Sequence, residues 1–390
     1  MNFEEIKQTA DKYLMPTYVH FPVALESGKN AVYKGADGKE YIDFTSGIGV
    51  NVFGACDLGL KTAVENQLSK LQHTSNLYYN ETVAKAAKLI CEKSGYSKVL
   101  FCNSGAEANE CAIKLARKYS FDKYGDGRHN IISLENSFHG RTMATITATG
   151  QQHYHEFFTP FLDGFMYAAA GDKKQISEMF NGSVCAVIME VIQGEGGVIE
   201  TPPEYIKYVR ELCTDSDVLL IFDEVQTGIG RTGKLFAYEN IGVKPDIITC
   251  AKGIGGGLPM GACLCSEQLG GTLTAGTHGT TFGGNPVVLA GSIEVLSRID
   301  NEFLKEVNKK GKYITEKVKA FTEVKEVRGM GLMIGIDLKS KTAGEAAKLC
   351  CENGLLILTA KKSLRMLPPL TITYEEIDKG LRILEKVLSN

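Results

Sequence analysis

The chain has 390 residues, 44% of them hydrophobic and 23% charged, proportions typical of a globular enzyme large enough for two domains. Its net charge of −3 gives no electrostatic reason to expect nucleic acid or an anionic membrane as a partner. No apolar run approaches the roughly 20 residues that span a bilayer, and the N-terminus lacks the apolar core of a secretory signal. Eleven scattered cysteines without a C-x-x-C pair favour reduced thiols in the cytosol over a disulfide framework or a zinc site.

The N-terminal part alternates short strands, turns and helices. Residues 30–44 predict a β-hairpin, because alternating residues flank a Gly-Ala-Asp-Gly turn. Apolar residues then recur at helical spacing over 60–71 and 83–93. The run between these two helices, HTSNLYYNET, is polar and aromatic, which is the composition of a functional loop.

The next segment, KVLFCNSGAEANE, predicts a strand, a small-residue turn and a helix that starts near Ala106. Ser104 suits the N-cap of that helix, and Glu107 follows three residues later as in a capping box. Free amides at a helix N-terminus attract anions. The lack of a Gly-Lys-Ser/Thr ending favours a phosphate monoester over a nucleotide, with an ordinary βα turn as the alternative.

Two further buried strands, 131–134 and 184–189, each lead into a polar turn. After the first, Phe138 could cover a planar ring and Arg141 could bind a carboxylate, while His139 could equally bond only to the backbone. Core packing or surface exposure is the alternative for each of them. The second strand leads into EVIQGEGG, whose Glu190 and Glu195 stand among glycines and so face a site or solvent.

Residues 218–257 hold the most informative pattern. The apolar runs 218–222 and 247–250 predict buried parallel strands, the first followed by Asp223 and the second by Lys252. Ligands of open α/β sheets bind beyond the carboxyl ends of the strands, so both charges are expected in one crevice. Such a pair suits pyridoxal phosphate, whose aldehyde a lysine holds as a Schiff base and whose ring nitrogen a carboxylate pairs with. A structural Asp–Lys ion pair is the alternative.

The run GIGRTG at 228–233 matches the dinucleotide fingerprint G-x-G-x-x-G but does not fit its context. Four residues separate it from Asp223, and no second strand ends in an acid about 20 residues on, as a ribose contact requires. The sequence therefore predicts a loop here.

The C-terminal third begins with a glycine-rich loop carrying Thr280 and Thr281, followed by one long helical stretch from Pro286 to about residue 320. A smaller α+β domain follows, with strands over 326–338, 354–360 and 364–373 and helices over 342–352 and 374–388. Arg365 lies between apolar neighbours, where an arginine is costly unless it is paired.

Taken in order, SGAEAN, SFHGRT, QGEGG, LLIFDEVQTGIGRTG, ITCAKGIGGGLPMG and TFGGNP resemble the motifs of class III pyridoxal-phosphate aminotransferases. Within that class, HTSNLYYNE and LRMLPPLTIT are similar to the acetylornithine aminotransferases of arginine biosynthesis. The resemblance extends from about Tyr18 to Leu388. One departure is GACDLGL at 54–60, where the family usually has Gly-His-x-His-Pro; it leaves the geometry of the early loop open.

The resemblance implies fold type I of the pyridoxal-phosphate enzymes: an α/β fold with a mixed, mostly parallel sheet in a large domain over 56–285. It implies a smaller α+β domain built from both chain ends, 1–55 and 286–390. It also implies a cytoplasmic homodimer with shared active sites.

The resemblance further implies roles for single residues. Lys252 is expected to be the Schiff-base lysine and proton carrier, and Asp223 the partner of the ring nitrogen. The other expected cofactor contacts are Phe138 and Val225 on the two ring faces, Gln226 at the ring hydroxyl, Gly105 and Ala106 at the phosphate, and Thr281 of the partner subunit. The expected substrate contacts are Arg141, Thr280 and Arg365, which grips the α-carboxylate of glutamate or 2-oxoglutarate, with Glu195 as its removable partner.

The implied activity is transfer of the terminal amino group of N2-acetylornithine to 2-oxoglutarate. Acetyl and succinyl substrates are not separable from the sequence, and ornithine or 4-aminobutyrate transamination is an alternative. The lack of a tyrosine between Asp43 and Asn51 favours acylated substrates over free ornithine. Glutamate-semialdehyde aminomutase and a non-catalytic binding protein are more distant alternatives; the intact Lys252 and Asp223 argue against the latter.

Overall fold

The computed structural model describes residues 1–389. The helices are α1 (Phe3–Tyr13), α2 (Ser46–Gly49), α3 (Leu58–Leu68), α4 (Glu81–Ser94), α5 (Gly105–Tyr124), α6 (Met143–Ala148), α7 (Lys173–Met179), α8 (Pro203–Asp215), α9 (Pro286–Arg298), α10 (Asn301–Lys319), α11 (Ala343–Glu352) and α12 (Tyr374–Ser389). The strands are β1 (Leu25–Lys29), β2 (Val32–Gly35), β3 (Glu40–Asp43), β4 (Lys98–Cys102), β5 (Asn130–Leu134), β6 (Phe165–Ala168), β7 (Val184–Met189), β8 (Ile192–Gln193), β9 (Ile199–Glu200), β10 (Leu219–Asp223), β11 (Ile247–Ala251), β12 (Gly261–Cys265), β13 (Val324–Met330), β14 (Met333–Leu338), β15 (Leu355–Leu356), β16 (Leu358–Ala360) and β17 (Ser363–Met366). Among these helices, none is long and apolar enough to cross a membrane.

A seven-stranded sheet with the order β4-β12-β11-β10-β7-β5-β6 forms the centre of the chain. Strands β11, β10, β7, β5 and β6 pair in parallel, whereas β12 runs antiparallel to both of its neighbours. The mixed, mostly parallel sheet predicted from the sequence is thus confirmed. Every residue of β7, β10 and β11 is buried, because apolar cores cover both faces: Ile221 joins the core under α5, and Leu220 joins the core on the opposite face.

The two chain ends share a smaller sheet. The predicted hairpin is present as β2 and β3, and β3 continues the sheet by pairing in parallel with β15 from the C-terminal part. A separate antiparallel sheet, β13-β14-β17-β16, carries Arg365 on β17 opposite Gly335. This pairing is compatible with a smaller domain built from both ends; the exact boundaries at 55 and 285 stay predictions.

Two C-terminal predictions were wrong in detail. The stretch from Pro286 to residue 320 is two helices, α9 and α10, because the side chain of Asp300 accepts a hydrogen bond from Phe303 N at 2.8 Å and begins a new helix. Of the predicted strand over 364–373, only the part within β17 forms a strand. Pro368 and Pro369 follow it, and neither has an amide hydrogen to donate to a neighbouring strand.

The departure at 54–60 has a local structural role. Asp57 caps α3 by accepting a hydrogen bond from Leu60 N at 3.0 Å, so this helix begins two residues earlier than predicted. The same carboxylate pairs with Arg298 of α9 at 2.6 Å, and that guanidinium lies 3.8 Å from the centre of the Phe53 ring. The segment is therefore fixed to α9 by an acid in place of the usual histidines.

Candidate active site

A cavity of about 470 Å³ opens beyond the carboxyl ends of the central strands. Its walls include nine of the predicted site residues: Gly105, Ala106, Phe138, Arg141, Glu195, Asp223, Val225, Gln226 and Lys252. Among these nine, residues up to 147 positions apart in the chain meet here because β4, β5, β7, β10 and β11 all end at this edge of the sheet. Three predicted residues, Thr280, Thr281 and Arg365, lie outside the cavity wall.

Asp223, at the end of β10, is held by an extensive set of donors. Its Oδ2 lies 2.8 Å from His139 Nδ1 and accepts a hydrogen bond of 2.8 Å from Asn109 Nδ2. Its Oδ1 accepts a hydrogen bond of 3.0 Å from Val225 N. Together these contacts fix the position of a carboxylate that is only 4% exposed.

Sequence reasoning missed Asn109 and left the role of His139 open. Asn109 is fixed in turn by Thr249, whose hydroxyl donates to its amide oxygen at 2.6 Å, so its NH₂ group must point at Asp223. A signal was available for Asn109: it stands four residues after Gly105 on α5, and thus on the face of the helix that carries the predicted anion site. Nε2 of His139 is buried and has no hydrogen-bond partner within the described chain.

Lys252 follows β11 in a left-handed backbone conformation, with φ of 51°. The pKa of its amine is lowered to about 8, mainly by burial; the charge of Glu195 raises it and the charge of Arg365 lowers it. An amine with this pKa is partly neutral near physiological pH, so it can act as a nucleophile and as a base.

The start of α5 provides the predicted anion site. Ser104 is the N-cap and accepts a hydrogen bond from Glu107 N at 3.1 Å, as expected. The capping box is incomplete, because the carboxylate of Glu107 accepts from Asn103 N and not from Ser104 N. Gly105 leaves no room for a side chain, since a Cβ there would lie 2.8 Å from Val225 Cγ1.

Pyridoxal phosphate fits the residues present. The N-terminus of a 20-residue helix would suit its phosphate, a buried carboxylate would suit its ring nitrogen, and an amine of lowered pKa would suit its aldehyde. Phe138 and Val225 supply apolar walls between these three groups.

The substrate side of the site contains a buried ion pair. Arg365 Nη1 donates to Glu195 Oε1 at 2.6 Å and to Gln226 Oε1 at 3.1 Å, and Gln226 Nε2 donates back to Glu195 at 3.3 Å. The guanidinium is 3% exposed, so the partner that the sequence required is present. Burial alone would raise the pKa of Glu195, but the charge and hydrogen bond of Arg365, together with the smaller effects of Lys252 and Gln226, lower it.

Arg141 lies at the mouth of the cavity, exposed and stacked on aromatic rings. Its guanidinium carbon is 4.5 Å from the centre of the Tyr154 ring and 5.5 Å from that of Phe138. Tyr154 and Phe138 also contact each other edge to face at 5.6 Å. No sequence pattern predicted the contact with Tyr154, which is 13 residues from Arg141 along the chain.

Thr280 and Thr281 are not part of this cavity within one chain. Thr280 Oγ1 accepts a hydrogen bond from Asn103 Nδ2 at 3.0 Å, and Thr281 is exposed. The contact expected of Thr281 belongs to the site of a second copy, and it stays a prediction.

Comparison with known proteins identifies the family to which this chain belongs. The model of the family described as aminotransferase class-III matches residues 13–388. The chain is 48% identical to an acetylornithine aminotransferase of Haemophilus ducreyi over the full length of both chains. It is 49% identical to an acetylornithine aminotransferase of Caldanaerobacter subterraneus over 97% of this chain and 98% of that one.

Solved structures agree with the family match. An ornithine aminotransferase of Toxoplasma gondii superposes with a TM-score of 0.95 at 31% identity, covering 100% of this chain and 95% of that one. An N-acetylornithine aminotransferase of Stenotrophomonas maltophilia superposes with a TM-score of 0.85 at 34% identity, covering 98% of each chain. With Lys252, Asp223 and the helix N-terminus around one cavity, this chain belongs to the class III aminotransferases, which use pyridoxal phosphate.

Proposed function

We propose that the protein transfers the terminal amino group of N2-acetyl-L-ornithine to 2-oxoglutarate, giving N-acetyl-L-glutamate 5-semialdehyde and L-glutamate, in arginine biosynthesis. The observation that carries this proposal is the ion pair between Arg365 and Glu195, 2.6 Å apart, with Glu195 in the wall of the same cavity as Lys252. When Glu195 moves away, Arg365 can bind a substrate carboxylate; when Glu195 returns, it occupies that position again. Relatives 42–49% identical over nearly the whole chain, all named acetylornithine aminotransferase, support the same assignment.

Different residues of the chain would bind different parts of the cofactor. Gly105 and Ala106 would bind the phosphate, Asp223 would keep the ring nitrogen protonated, and Lys252 would hold the aldehyde covalently. Phe138 and Val225 would cover the two faces of the ring, and Gln226 would lie next to its hydroxyl. When bound, pyridoxal phosphate supplies an electron sink for the bond that breaks at the amino-bearing carbon.

Lys252 Nζ would also move the proton in the reaction. Once the amino group of the substrate has displaced it, the amine is free, and its pKa of about 8 makes it a base near neutral pH. It would take the proton from the amino-bearing carbon of the substrate and hold it at Nζ. His139 and Asn109 would act through Asp223, because their contacts with its Oδ2 hold that carboxylate in position.

Glu195 lets one cavity accept two unlike substrates. While it covers Arg365, the charge of the guanidinium is neutralised, and the terminal amine of acetylornithine can approach with its uncharged stem. When 2-oxoglutarate binds, its α-carboxylate forms a bidentate ion pair with the guanidinium of Arg365, and the side chain of Glu195 rotates away. Arg141 at the mouth would bind the carboxylate at the far end of either substrate.

We infer further that the protein is a homodimer with shared active sites. Thr281 is exposed and lies outside the cavity of its own chain, which leaves its hydroxyl available to a neighbouring subunit. A phosphate site completed by a second copy would make the isolated chain a weak binder of cofactor.

A screen of amino donors in single half-reactions tests the proposed function. Cofactor-loaded protein is mixed separately with acetylornithine, succinylornithine, ornithine, 4-aminobutyrate and glutamate, and the loss of the bound aldehyde's absorbance is followed. We expect the highest kcat/KM among the ω-amines for acetylornithine. A preference for ornithine or 4-aminobutyrate, or turnover of glutamate 1-semialdehyde that needs no 2-oxoglutarate, would overturn the proposal.

A further inference from the structure

Glu190 is a buried acid in the cavity wall that has no part in the steps described above. It follows β7 directly and is 5% exposed. The parallel register pairs Met189 with Phe222, so Glu190 stands beside Asp223 at the ends of neighbouring strands. Burial first, and then the charge of Asp223, raises the pKa of Glu190 well above its ordinary value. An acid here is therefore costly, and something must compensate for it.

The compensation comes from two backbone amides that belong to different segments. Oε2 of Glu190 accepts a hydrogen bond of 3.0 Å from Phe138 N, and Oε1 accepts one of 3.3 Å from Gly194 N. Phe138 forms the aromatic wall of the cavity, and Gly194 begins the turn that carries Glu195. A carboxylate provides two separate acceptor oxygens for these donors, whereas the amide group of a glutamine would present its own N–H bonds to one of them.

The two segments also pack against each other and against Gln226. Gln193 Nε2 donates to Glu135 O at 2.8 Å, and a Cβ on Gly196 would lie 3.1 Å from Asn136 O. On the other side, a Cβ on Gly194 would come within 2.2 Å of Gln226 Oε1. The turn is thus confined on both sides, with Glu190 at its base.

We propose that Glu190 is a positioning residue that joins the aromatic wall at Phe138 and the turn at Gly194 into one rigid unit. Glu195 then uncovers Arg365 by rotation of its side chain alone, while the turn stays in place. Discrimination between the two substrates would depend on Glu190 although it contacts neither of them. Only the effect on substrate discrimination rests on the proposed function; the rigidity of the unit does not depend on the substrate.

The test compares Glu190→Gln with Glu224→Gln. Glu224 is a matched control, since it is fully buried next to Asp223 and accepts hydrogen bonds from the backbone amides of Ala237 and Tyr238, at 3.0 and 2.9 Å. Hydrogen exchange of the cofactor-free protein is followed by mass spectrometry, without any substrate. In E190Q we expect amides over 136–142 and 192–198 to exchange at least about tenfold faster, whereas E224Q should affect the amides near 236–239.

Two further measurements separate positioning from general stability. The dissociation constant of pyridoxal phosphate should rise about tenfold in E190Q, because the wall over the ring is loosened, and less than about threefold in E224Q. The ratio of the glutamate to the acetylornithine half-reaction should rise about threefold in E190Q only, because a mobile turn holds Glu195 less firmly on Arg365.

The outcomes are distinct. Unchanged exchange in either of the two segments of E190Q, or equal effects of both substitutions on cofactor affinity, would overturn the proposal. Faster exchange in both segments together with inactivity toward acetylornithine supports the role of Glu190 and counts against the proposed function instead. If E190Q does not fold, the same measurements are made on Glu190→Asp. The shorter side chain can reach only one of the two backbone amides, so the amides of one of the two segments must exchange faster.

Discussion

The guanidinium of Arg365 and the carboxylate of Glu195 lie 2.6 Å apart across 170 residues of sequence. Arg365 belongs to β17 and Glu195 to the turn after β8, and Glu195 lines the same cavity as Lys252. The ion pair joins the C-terminal antiparallel sheet to the cofactor site. Substrate exchange can therefore be probed by changing this one contact.

Replacing Glu195 with alanine should expose Arg365 permanently. We expect the glutamate half-reaction to speed up relative to the acetylornithine half-reaction by at least tenfold, or about 1.4 kcal/mol. Stopped-flow single turnovers with each donor measure the ratio. The control is Asp337→Ala, which removes the partner of Arg328 at 2.9 Å outside the cavity and should leave the ratio unchanged. Equal changes for both donors in the Glu195 variant would remove the main physical support for the substrate assignment.

Asp223→Asn should reduce the rate of the half-reaction by roughly 10³-fold while the fold is kept, because a neutral amide cannot hold the ring nitrogen protonated in a buried site. The amide would also turn an N–H toward His139 or Asn109, which weakens its own position. Asp246→Asn is a suitable control: this acid bonds Leu220 N and Arg210 at the opposite end of the sheet. A fall of less than about tenfold in D223N would show that Asp223 is not the partner of the ring.

Uptake of pyridoxal phosphate by the cofactor-free protein should depend on pH through Lys252. Its pKa is lowered to about 8, and only the neutral amine attacks an aldehyde, so the rate should rise with pH through a midpoint near 8 and level off above it. A lysine with an ordinary pKa would give a rate that still rises near pH 10. Rapid mixing across pH 6.5–10 with absorbance detection distinguishes the two profiles. A midpoint above about 9.5 would contradict the buried setting of Lys252.

Thr281 should act on the site of the other subunit. Thr281→Ala is expected to weaken cofactor binding about tenfold, through loss of a hydrogen bond to a charged phosphate. A hybrid dimer of one Lys252→Ala subunit and one Thr281→Ala subunit then contains one intact site, because the intact lysine receives the intact threonine across the interface. Activity at limiting cofactor should exceed that of either parent. A hybrid with no more activity than its parents, or an active monomer in light scattering, would count against a shared site.

The sequence alone determined the chemistry at the ends of the strands. Asp223 and Lys252 could be placed in one crevice because buried parallel strands end at the same edge of a sheet, whatever the loops between them do. Ser104 and Gly105 could be assigned to a helix start for a similar reason, since caps depend on residues within one turn. Such inferences are reliable because each depends on local pattern alone.

Only the tertiary structure decided which side chains surround those residues. Asn109 reaches Asp223 across 114 residues, and Tyr154 supports Arg141 through a contact that no periodicity predicts. The role of Glu190 likewise depends on two amides that are 52 and 4 residues away from it. Hydrogen bonds of this kind are set by how separate segments pack, and packing is a property of the whole chain. The sequence therefore specified the charged groups at the strand ends, and the fold specified what holds them in place.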